Sequence, residues 1–145
     1  MSNFTKITVS ATVNAPIEKV WDCFNNPDHV IHWNAASDDW YCPKSTNDLR
    51  VGGGFNHTMA ARDGSFSFDF EGVYSAIKTN ESIAYGLSDG RQILVTFEQD
   101  GDSVIVTEFF DAETENPIEM QQAGWQAILD RFKSYVENLT ATDSQ

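Results

Sequence analysis

Basic residues are scarce in this sequence. It contains 9 lysines and arginines against 22 aspartates and glutamates, which gives a formal net charge of −13. A protein that binds the phosphates of nucleic acid needs clustered basic side chains, and an anionic membrane surface attracts the same side chains. The charge balance therefore argues against nucleic-acid binding and against docking on an anionic membrane.

Cysteines are few, and long apolar runs are absent. The two cysteines, Cys23 and Cys42, are too few for a disulfide framework, and we expect both to be buried, reduced thiols. No stretch approaches the roughly 20 apolar residues of a membrane-spanning helix. The N-terminal segment MSNFTKITVS lacks the basic and apolar regions of a secretory signal. We therefore predict a cytoplasmic protein with no membrane insertion.

The length and composition suit one globular domain. The chain has 145 residues, of which 41% are hydrophobic. We place the domain at residues 1–140 and expect residues 141–145 to form a frayed tail. No repeat, low-complexity segment or linker divides the chain.

The predicted order of elements is one strand, two short helices, about six strands and one long helix. The first strand is predicted over residues 4–13, and the helices over residues 17–24 and 28–33. The later strands are predicted at residues 40–42, 55–62, 65–77, 83–87, 91–99 and 103–110. Three of the turns contain an Asp-Gly pair, which is a strong hairpin signal and predicts antiparallel neighbours.

Three consecutive glycines, Gly52 to Gly54, precede one of these strands. The Lys-Ser/Thr pair that completes a phosphate-binding loop does not follow them. Glycines in this position favour a bend, a bulge or a close approach of two backbones.

The last helix, predicted over residues 117–139, carries an apolar stripe. Its members recur at the spacing of one helix face. The stripe consists of Met120 or Gln121, followed by Trp125, Ile128, Leu129, Phe132, Tyr135, Val136 and Leu139. A helix that follows an uninterrupted run of strands buries its stripe against their sheet. The space between such a helix and a curved sheet is where a small protein can hold a ligand.

Alternation along the strands divides the side chains between two faces of the sheet. The aromatic row of Phe66, Phe68, Phe70 and Tyr74 alternates with polar residues that must face water, so we expect this row to face the last helix. The same inner face receives Phe55, His57, Met59, Ala61, Tyr85, Val95, Phe97, Val106 and Glu108, unless a bulge shifts the register. Buried aromatics are ordinarily packing, so these residues alone leave a plain core and a ligand pocket as equal alternatives.

Short motifs spread over nearly the whole chain resemble one known family. They are Ala15-Pro16 with Val20-Trp21, PDHVIHW at residues 27–33, LRVGGGF at 49–55, EGVY at 71–74, and Gly124-Trp125 with Leu129 and Phe132. In this order they resemble the START-like helix-grip superfamily, also called SRPBCC and typified by the major birch pollen allergen. Within it, the sequence is most similar to the branch homologous to the activator of the heat-shock-protein-90 ATPase.

This resemblance implies an α+β helix-grip fold, in which a curved antiparallel sheet wraps around a long C-terminal helix and two short helices follow the first strand. It also implies a cavity between sheet and helix that, across the superfamily, holds lipids, sterols, polyketides or other hydrophobic molecules. The family members that stimulate the chaperone ATPase carry a further N-terminal domain, which this sequence does not include. We therefore expect ligand binding, with a protein-interaction module of the chaperone-activator type as an alternative.

We predict that a hydrophobic or amphipathic small molecule (a lipid, polyketide or aromatic compound) binds between the sheet and the C-terminal helix. The predicted ligand-binding residues are Trp33, Phe55, His57, Met59, Phe68, Phe70, Tyr74, Tyr85, Phe97, Trp125, Leu129 and Phe132. Burial of apolar surface would drive binding, and His57, Tyr74, Tyr85 or Glu108 would orient the polar end of the ligand.

His57 is also the main catalytic candidate. It lies between Phe55 and Met59 on an otherwise apolar face, and a histidine tuned by Glu108 could act as an acid or base near neutral pH. A polyketide-type cyclase or dehydratase that uses His57 is therefore a second alternative. No third residue can be named to orient this pair, so we do not predict an enzyme.

No cofactor or metal site is predicted. His29 and His32 lie three residues apart on a short helix, and Cys23 and Cys42 flank them. These spacings are irregular and include no C-x-x-C pair, so they do not match a zinc site.

Overall fold

The computed structural model describes residues 5–143, and the side chains of residues 5–139. Its elements are β1 (Lys6–Val13), α1 (Ile17–Asn25), α2 (Pro27–Trp33), β2 (Trp40–Asn47), β3 (Gly54–Ala61), β4 (Ser67–Lys78), β5 (Ser82–Gly86), β6 (Gln92–Asp100), β7 (Ser103–Asp111) and α3 (Ile118–Asp143). This order confirms the predicted helix-grip fold. Residues 1–4 of the predicted domain and residues 144–145 of the predicted tail lie outside the described part, while residues 141–143 continue α3.

The seven strands form one antiparallel sheet in the order β1-β7-β6-β5-β4-β3-β2. Consecutive strands from β2 to β7 are neighbours, as the turn signals predicted. Gly64, Gly90 and Gly101 occupy the three Asp-Gly turns with φ values of 78°, 95° and 62°. Residues with a side chain rarely adopt this conformation, so glycine is required at these turns.

β2 is longer than the sequence indicated. The prediction limited the strand to residues 40–42 because Pro43 cannot donate a hydrogen bond to a neighbouring strand. β2 is an edge strand, however, and a register shift between Tyr41 and Lys44 accommodates the proline. The strand therefore continues to Asn47, which lies opposite Phe55 of β3.

The glycine triplet before β3 allows two backbones to approach each other closely. The Gly52 N–H donates to the Tyr74 carbonyl, and the Tyr74 N–H donates to the Gly53 carbonyl, both at 2.9 Å. A Cβ atom added to Gly53 would lie 2.3 Å from the Asp48 carbonyl oxygen. This geometry agrees with the interpretation of the triplet as a site of close approach.

The stripe of α3 packs against the inner face of the sheet. Leu129, Phe132 and Val136 are buried, and Trp125 and Ile128 pack against the same core. Complete burial of each such side chain stabilises the fold by roughly 1.5–3 kcal/mol.

Polar side chains of α3 contact the edge strand β1. They donate hydrogen bonds to the carbonyl oxygens of alternate residues: Gln122 Nε2 to Thr8 (3.3 Å), Gln126 Nε2 to Ser10 (2.9 Å) and Lys133 Nζ to Thr12 (2.7 Å). β1 pairs with another strand, β7, on one side only. These side chains therefore satisfy carbonyl groups that an edge strand would otherwise leave to water.

Part of the predicted inner aromatic row is exposed. Phe66 is 60% exposed and Phe68 is 45% exposed. Phe66 precedes the start of β4, and both rings contact Trp40 on the edge strand β2, at centroid distances of 6.0 Å. Further along β4, Phe70 is half-buried and Tyr74 is buried. The alternation assigned the face correctly, but the helix does not cover the whole length of that face.

Candidate functional site

A cavity of about 290 Å³ lies between the inner face of the sheet and the helices. Strands β2, β3, β4, β5 and β7 contribute residues to its wall. The helices α1 and α3 also contribute, as does α2 together with the residue that follows it. The lining residues are Phe24, Asn25, Trp33, Asn34, Asn47, Phe55, His57, Met59, Phe68, Phe70, Tyr74, Ile83, Tyr85, Arg91, Glu108, Trp125 and Ile128. The lining is thus mainly aromatic and aliphatic, with a minority of polar groups.

Packed aromatic rings form the sheet side of the cavity. The Phe55 ring lies 4.8 Å from that of Tyr85 and 5.6 Å from that of Tyr74, measured between centroids. On the helix side, the Trp125 ring lies 6.0 Å from Phe70 and stacks on Phe110 at 3.8 Å. These contacts hold the rings in fixed orientations, so the shape of the wall is determined by packing.

Three of the predicted ligand-binding residues, Phe97, Leu129 and Phe132, do not line this cavity. All three are buried in the core instead. The Phe24 ring of α1 contacts Phe97 at 5.3 Å and Phe132 at 5.4 Å, and Trp21 contacts Phe97 at 5.2 Å. Phe97 faces inward from the sheet as predicted, but Trp21 and Phe24 of α1 contact it, and Phe24 also contacts Phe132 of α3. The other nine predicted ligand-binding residues line the cavity.

A chain of hydrogen bonds joins one side of the cavity to α1. The Tyr74 hydroxyl donates to Asn47 Oδ1 at 2.6 Å, Asn47 Nδ2 donates to the Asn25 carbonyl at 2.7 Å, and Asn25 Nδ2 donates to the Trp21 carbonyl at 3.0 Å. Burial raises the pKa of Tyr74 to about 12, so this hydroxyl stays protonated at neutral pH. The chain fixes the positions of β4, β2 and α1 relative to one another.

His57 lies in the cavity wall as a neutral ring. Its Nδ1 atom lies 2.8 Å from the Ser45 hydroxyl, and its ring stacks on Phe55 at 4.9 Å. Burial lowers the pKa of His57 to about 4. The catalytic hypothesis assumed a histidine that titrates near neutral pH, and burial moves it away from that range.

Glu108 is the acidic group of the cavity. It pairs with Val9 of β1 and Val95 of β6, and Val95 pairs in turn with Ile83 of β5, so it lies in a row of buried aliphatic side chains. Burial raises its pKa to about 8. None of the described residues donates a hydrogen bond to its carboxyl group. Glu108 and His57 line the same cavity, but burial alone shifts the pKa of each, so the predicted tuning of His57 by Glu108 has no electrostatic support.

Tyr85 lies near two charged groups of the cavity wall, Glu108 and Arg91. Burial, followed by the negative charge of Glu108, raises the pKa of Tyr85 well above its usual value, whereas Arg91 acts in the opposite direction. Arg91 Nε donates to Asp89 Oδ2 at 2.7 Å. The positive charge at the cavity wall is therefore already paired, and the carboxyl group of Glu108 is not.

Comparison with known proteins identifies the family. The family model described as Activator of Hsp90 ATPase homolog 1-like protein (AHSA1) matches residues 14–137, which is most of the chain. The chain belongs to this family. The predicted resemblance to the START-like superfamily, and to its branch related to the chaperone ATPase activator, is thereby confirmed.

Solved structures agree with this assignment. The solution structure of the AHSA1-like protein of Aeromonas hydrophila is 45% identical to this AHSA1-like chain, covers 94% of both chains and has a TM-score of 0.88. A protein of Cytophaga hutchinsonii is 53% identical over 94% of both chains, with a TM-score of 0.80. A protein of Nitrosomonas europaea, only 14% identical, covers 97% of this chain and 99% of its own with a TM-score of 0.81, and so shares the fold. No curated protein matches the chain.

Sequence reasoning missed the three asparagines in the wall of this AHSA1-like domain. Asn25 and Asn34 lie at the ends of α1 and α2, where asparagine is ordinarily explained by helix termination. Asn47 fell in a stretch without a predicted strand. Pairing β2 with β3 would have placed Asn47 opposite Phe55, and this is the one signal that could have revealed it.

The described residues contain no group of three or more His, Cys, Asp or Glu side chains that could hold a metal ion. His29 and His32 instead lie against Tyr135: His29 Nδ1 is 2.7 Å from the Tyr135 hydroxyl, and the His32 ring stacks on the tyrosine. Cys23 and Cys42 are buried, as expected. None of the helices in residues 5–143 is long and apolar enough to cross a membrane.

Proposed function

We propose that this protein binds a hydrophobic or amphipathic small molecule, such as a lipid, polyketide or aromatic compound, in the cavity between the sheet and α3. The observation that carries this proposal is the cavity of about 290 Å³ itself. Protein interiors are close-packed and leave few voids larger than a water molecule. A plain aromatic core would have closed this space, whereas ligand pockets start at roughly 300 Å³.

The composition of the wall supports the same conclusion. Phe55, Phe70 and Trp125 offer ring surfaces, while the polar groups, which include Tyr85 and Glu108, are a minority. A ligand that buries about 200 Å² of apolar surface would gain about 5 kcal/mol at roughly 25 cal/mol per Å². The loss of ligand freedom on binding offsets part of this gain. The polar groups would then decide which ligands bind.

Native mass spectrometry of freshly purified protein tests the proposal, because a co-purifying ligand appears as a discrete added mass. Ile128→Trp, on the cavity side of α3, should fill the space and remove that mass. Ala123→Trp is the matched control, since Ala123 is exposed on the same helix. The proposal fails if no added mass is present and if the Ile128→Trp and wild-type proteins respond identically to a panel of lipids and aromatic compounds in thermal-shift assays.

A second candidate function is a protein-interaction module for Hsp90, the chaperone whose ATPase activator gives the family its name. The outer face of the sheet carries a cross-strand pair of apolar residues, Leu94 and Phe109, which are 40% and 41% exposed. Exposed apolar neighbours of this kind are typical of protein-binding surfaces. An Hsp90 ATPase assay tests this candidate: the protein should stimulate turnover, and Leu94→Ser should reduce the stimulation more than Glu98→Ser on the same strand does. Absence of both stimulation and a complex would eliminate it.

A further inference from the structure

We propose that the cavity selects an amphipathic cation, an organic amine or quaternary ammonium compound whose charged head lies against Glu108 and whose apolar body lies among the aromatic rings. This inference rests on the proposed function, because it names the class of ligand for the same cavity.

The first observation is the unpartnered carboxyl group. Among the described residues that line the cavity, Glu108 alone carries a carboxyl group, and it is only 8% exposed. Its cross-strand neighbours, Val9 and Val95, offer neither charge nor hydrogen bonds. A carboxylate buried without a partner is costly. A ligand with a positive charge would supply the missing partner.

The second observation is the position of the aromatic rings. Tyr85 is close enough to Glu108 to feel its charge. The Tyr85 ring lies 4.8 Å from Phe55 and 6.4 Å from Phe70. On the other side, Phe110, two residues beyond Glu108 on β7, supports the stacked ring of Trp125. Aromatic faces attract a cation within about 6 Å of the ring centroid. The surroundings of Glu108 therefore suit both the head and the body of such a ligand.

The charges elsewhere favour a cation over an anion. Arg91, the cationic side chain of the wall, is already bound to Asp89. An anionic ligand would also have to approach a chain with a net charge of −13. The same field attracts cations and raises their local concentration.

Because Glu108 ionises near neutral pH, the binding of a cation in the cavity should depend on pH. The pKa of Glu108 is about 8. The titratable groups of the wall with a shifted pKa keep one charge state between pH 6 and pH 8: His57 (pKa about 4), Tyr74 (pKa about 12) and Tyr85 (pKa raised well above its usual value). The strands on either side place Val9 and Val95 beside Glu108, and the residues of α3 that line the same cavity, Trp125 and Ile128, carry no titratable group. Glu108 is therefore the group in the wall that ionises in this range.

The test uses two probes of the same shape, phenyltrimethylammonium and its neutral isostere tert-butylbenzene. Their affinities for the wild-type protein are measured by ¹⁵N NMR titration at pH 6 and pH 8. The affinity for the cation should rise by up to about 50-fold between these values, because the ionised fraction of a group with a pKa of 8 rises by that factor. The affinity for the neutral probe should not change.

Two variants complete the design. Glu108→Gln should bind tert-butylbenzene as the wild type does, but should bind the cation more weakly and without pH dependence. Glu98→Gln removes an exposed carboxylate from the neighbouring strand β6 and should leave both affinities unchanged. The pH series on the wild-type protein needs no substitution, so the inference can be tested even if Glu108→Gln does not fold.

The outcomes separate this inference from the proposed function. If the neutral probe binds, but cation binding does not increase with pH or survives Glu108→Gln, the inference about charge is overturned and the hydrophobic pocket stands. If neither probe binds and no ligand co-purifies, the proposed function itself fails, and this inference fails with it.

Discussion

Replacing Glu108 with glutamine should stabilise the protein, and the gain should grow with pH. Glu108 is held in a row of buried aliphatic side chains, so the folded protein retains its proton to about pH 8. In the unfolded chain the same group, at its ordinary pKa of 4.5, has already ionised. Folding above pH 4.5 must therefore either take up a proton or bury a charge. Glutamine has nearly the same shape and requires neither.

The magnitude follows from proton linkage. Between pH 4.5 and pH 8 the folded state binds one proton more than the unfolded state at this position. Each pH unit in that interval lowers the free energy of unfolding by about 1.4 kcal/mol. The contribution of Glu108 to stability is fully present below pH 4.5. It is lower by about 3 kcal/mol at pH 7, and by about 5 kcal/mol at pH 8 and above. The difference in stability between Glu108→Gln and the wild type should rise by these amounts.

Urea unfolding of the wild type, Glu108→Gln and Glu98→Gln at pH 5, 6, 7, 8 and 9 measures this difference directly. Subtracting the wild-type curve removes the contributions of the groups that titrate alike in each variant. Glu98 is exposed on β6, so its replacement should give a difference that hardly changes with pH. A Glu108→Gln difference that is equally flat would refute the claim that Glu108 is buried without a partner.

Three further predictions follow from other contacts. Because the pKa of His57 is about 4 in the folded protein against 6.5 in the unfolded chain, His57 costs about 3 kcal/mol of stability as the pH falls from 6.5 to 4; the difference in stability between His57→Gln and the wild type should change by this amount in urea unfolding extended to pH 4. Phe132→Ala should cost roughly 3–5 kcal/mol in urea unfolding, yet leave probe binding in NMR titrations unchanged, because Phe132 lies in the core outside the cavity wall. Asn47→Ala should cost roughly 1–3 kcal/mol by the same assay, because it leaves the Tyr74 hydroxyl and the Asn25 carbonyl without partners; Asn56→Ala on β3 is the control and should cost less.

The fold was predictable from the sequence because its determinants are local. Asp-Gly pairs fix the turns, and each turn fixes which strands are neighbours. Alternation then assigns faces correctly across most of the sheet, from Phe55 on β3 to Val106 on β7, both of which are buried. The stripe on α3 specifies the remaining layer, since an apolar helix face has only this sheet to cover it.

The site was less predictable because it depends on which helix covers which part of the sheet. Alternation shows that Phe97 faces inward, but not that Trp21 and Phe24 of α1 lie over it. For the same reason, the pattern predicted that Phe66 faces inward, but it could not show that none of the described helices covers this part of the sheet and that Phe66 is exposed. Asn47 could not be predicted because the strand was expected to end at Pro43. An edge strand tolerates a proline, but the sequence of one strand does not show whether it lies at the edge of the sheet.

The contacts along β1 have a consequence for self-association. An open sheet ends in two strands whose backbone groups can pair with another molecule and start a polymer. At one end, α3 side chains from Gln122 to Lys133 already occupy alternate carbonyl groups of β1. At the other end, Pro43 and the irregular register of β2 interrupt the regular series of donors. Both ends of this seven-stranded sheet are thus poor templates for an added strand, and the chain can keep an open, curved sheet around its cavity without closing it into a barrel.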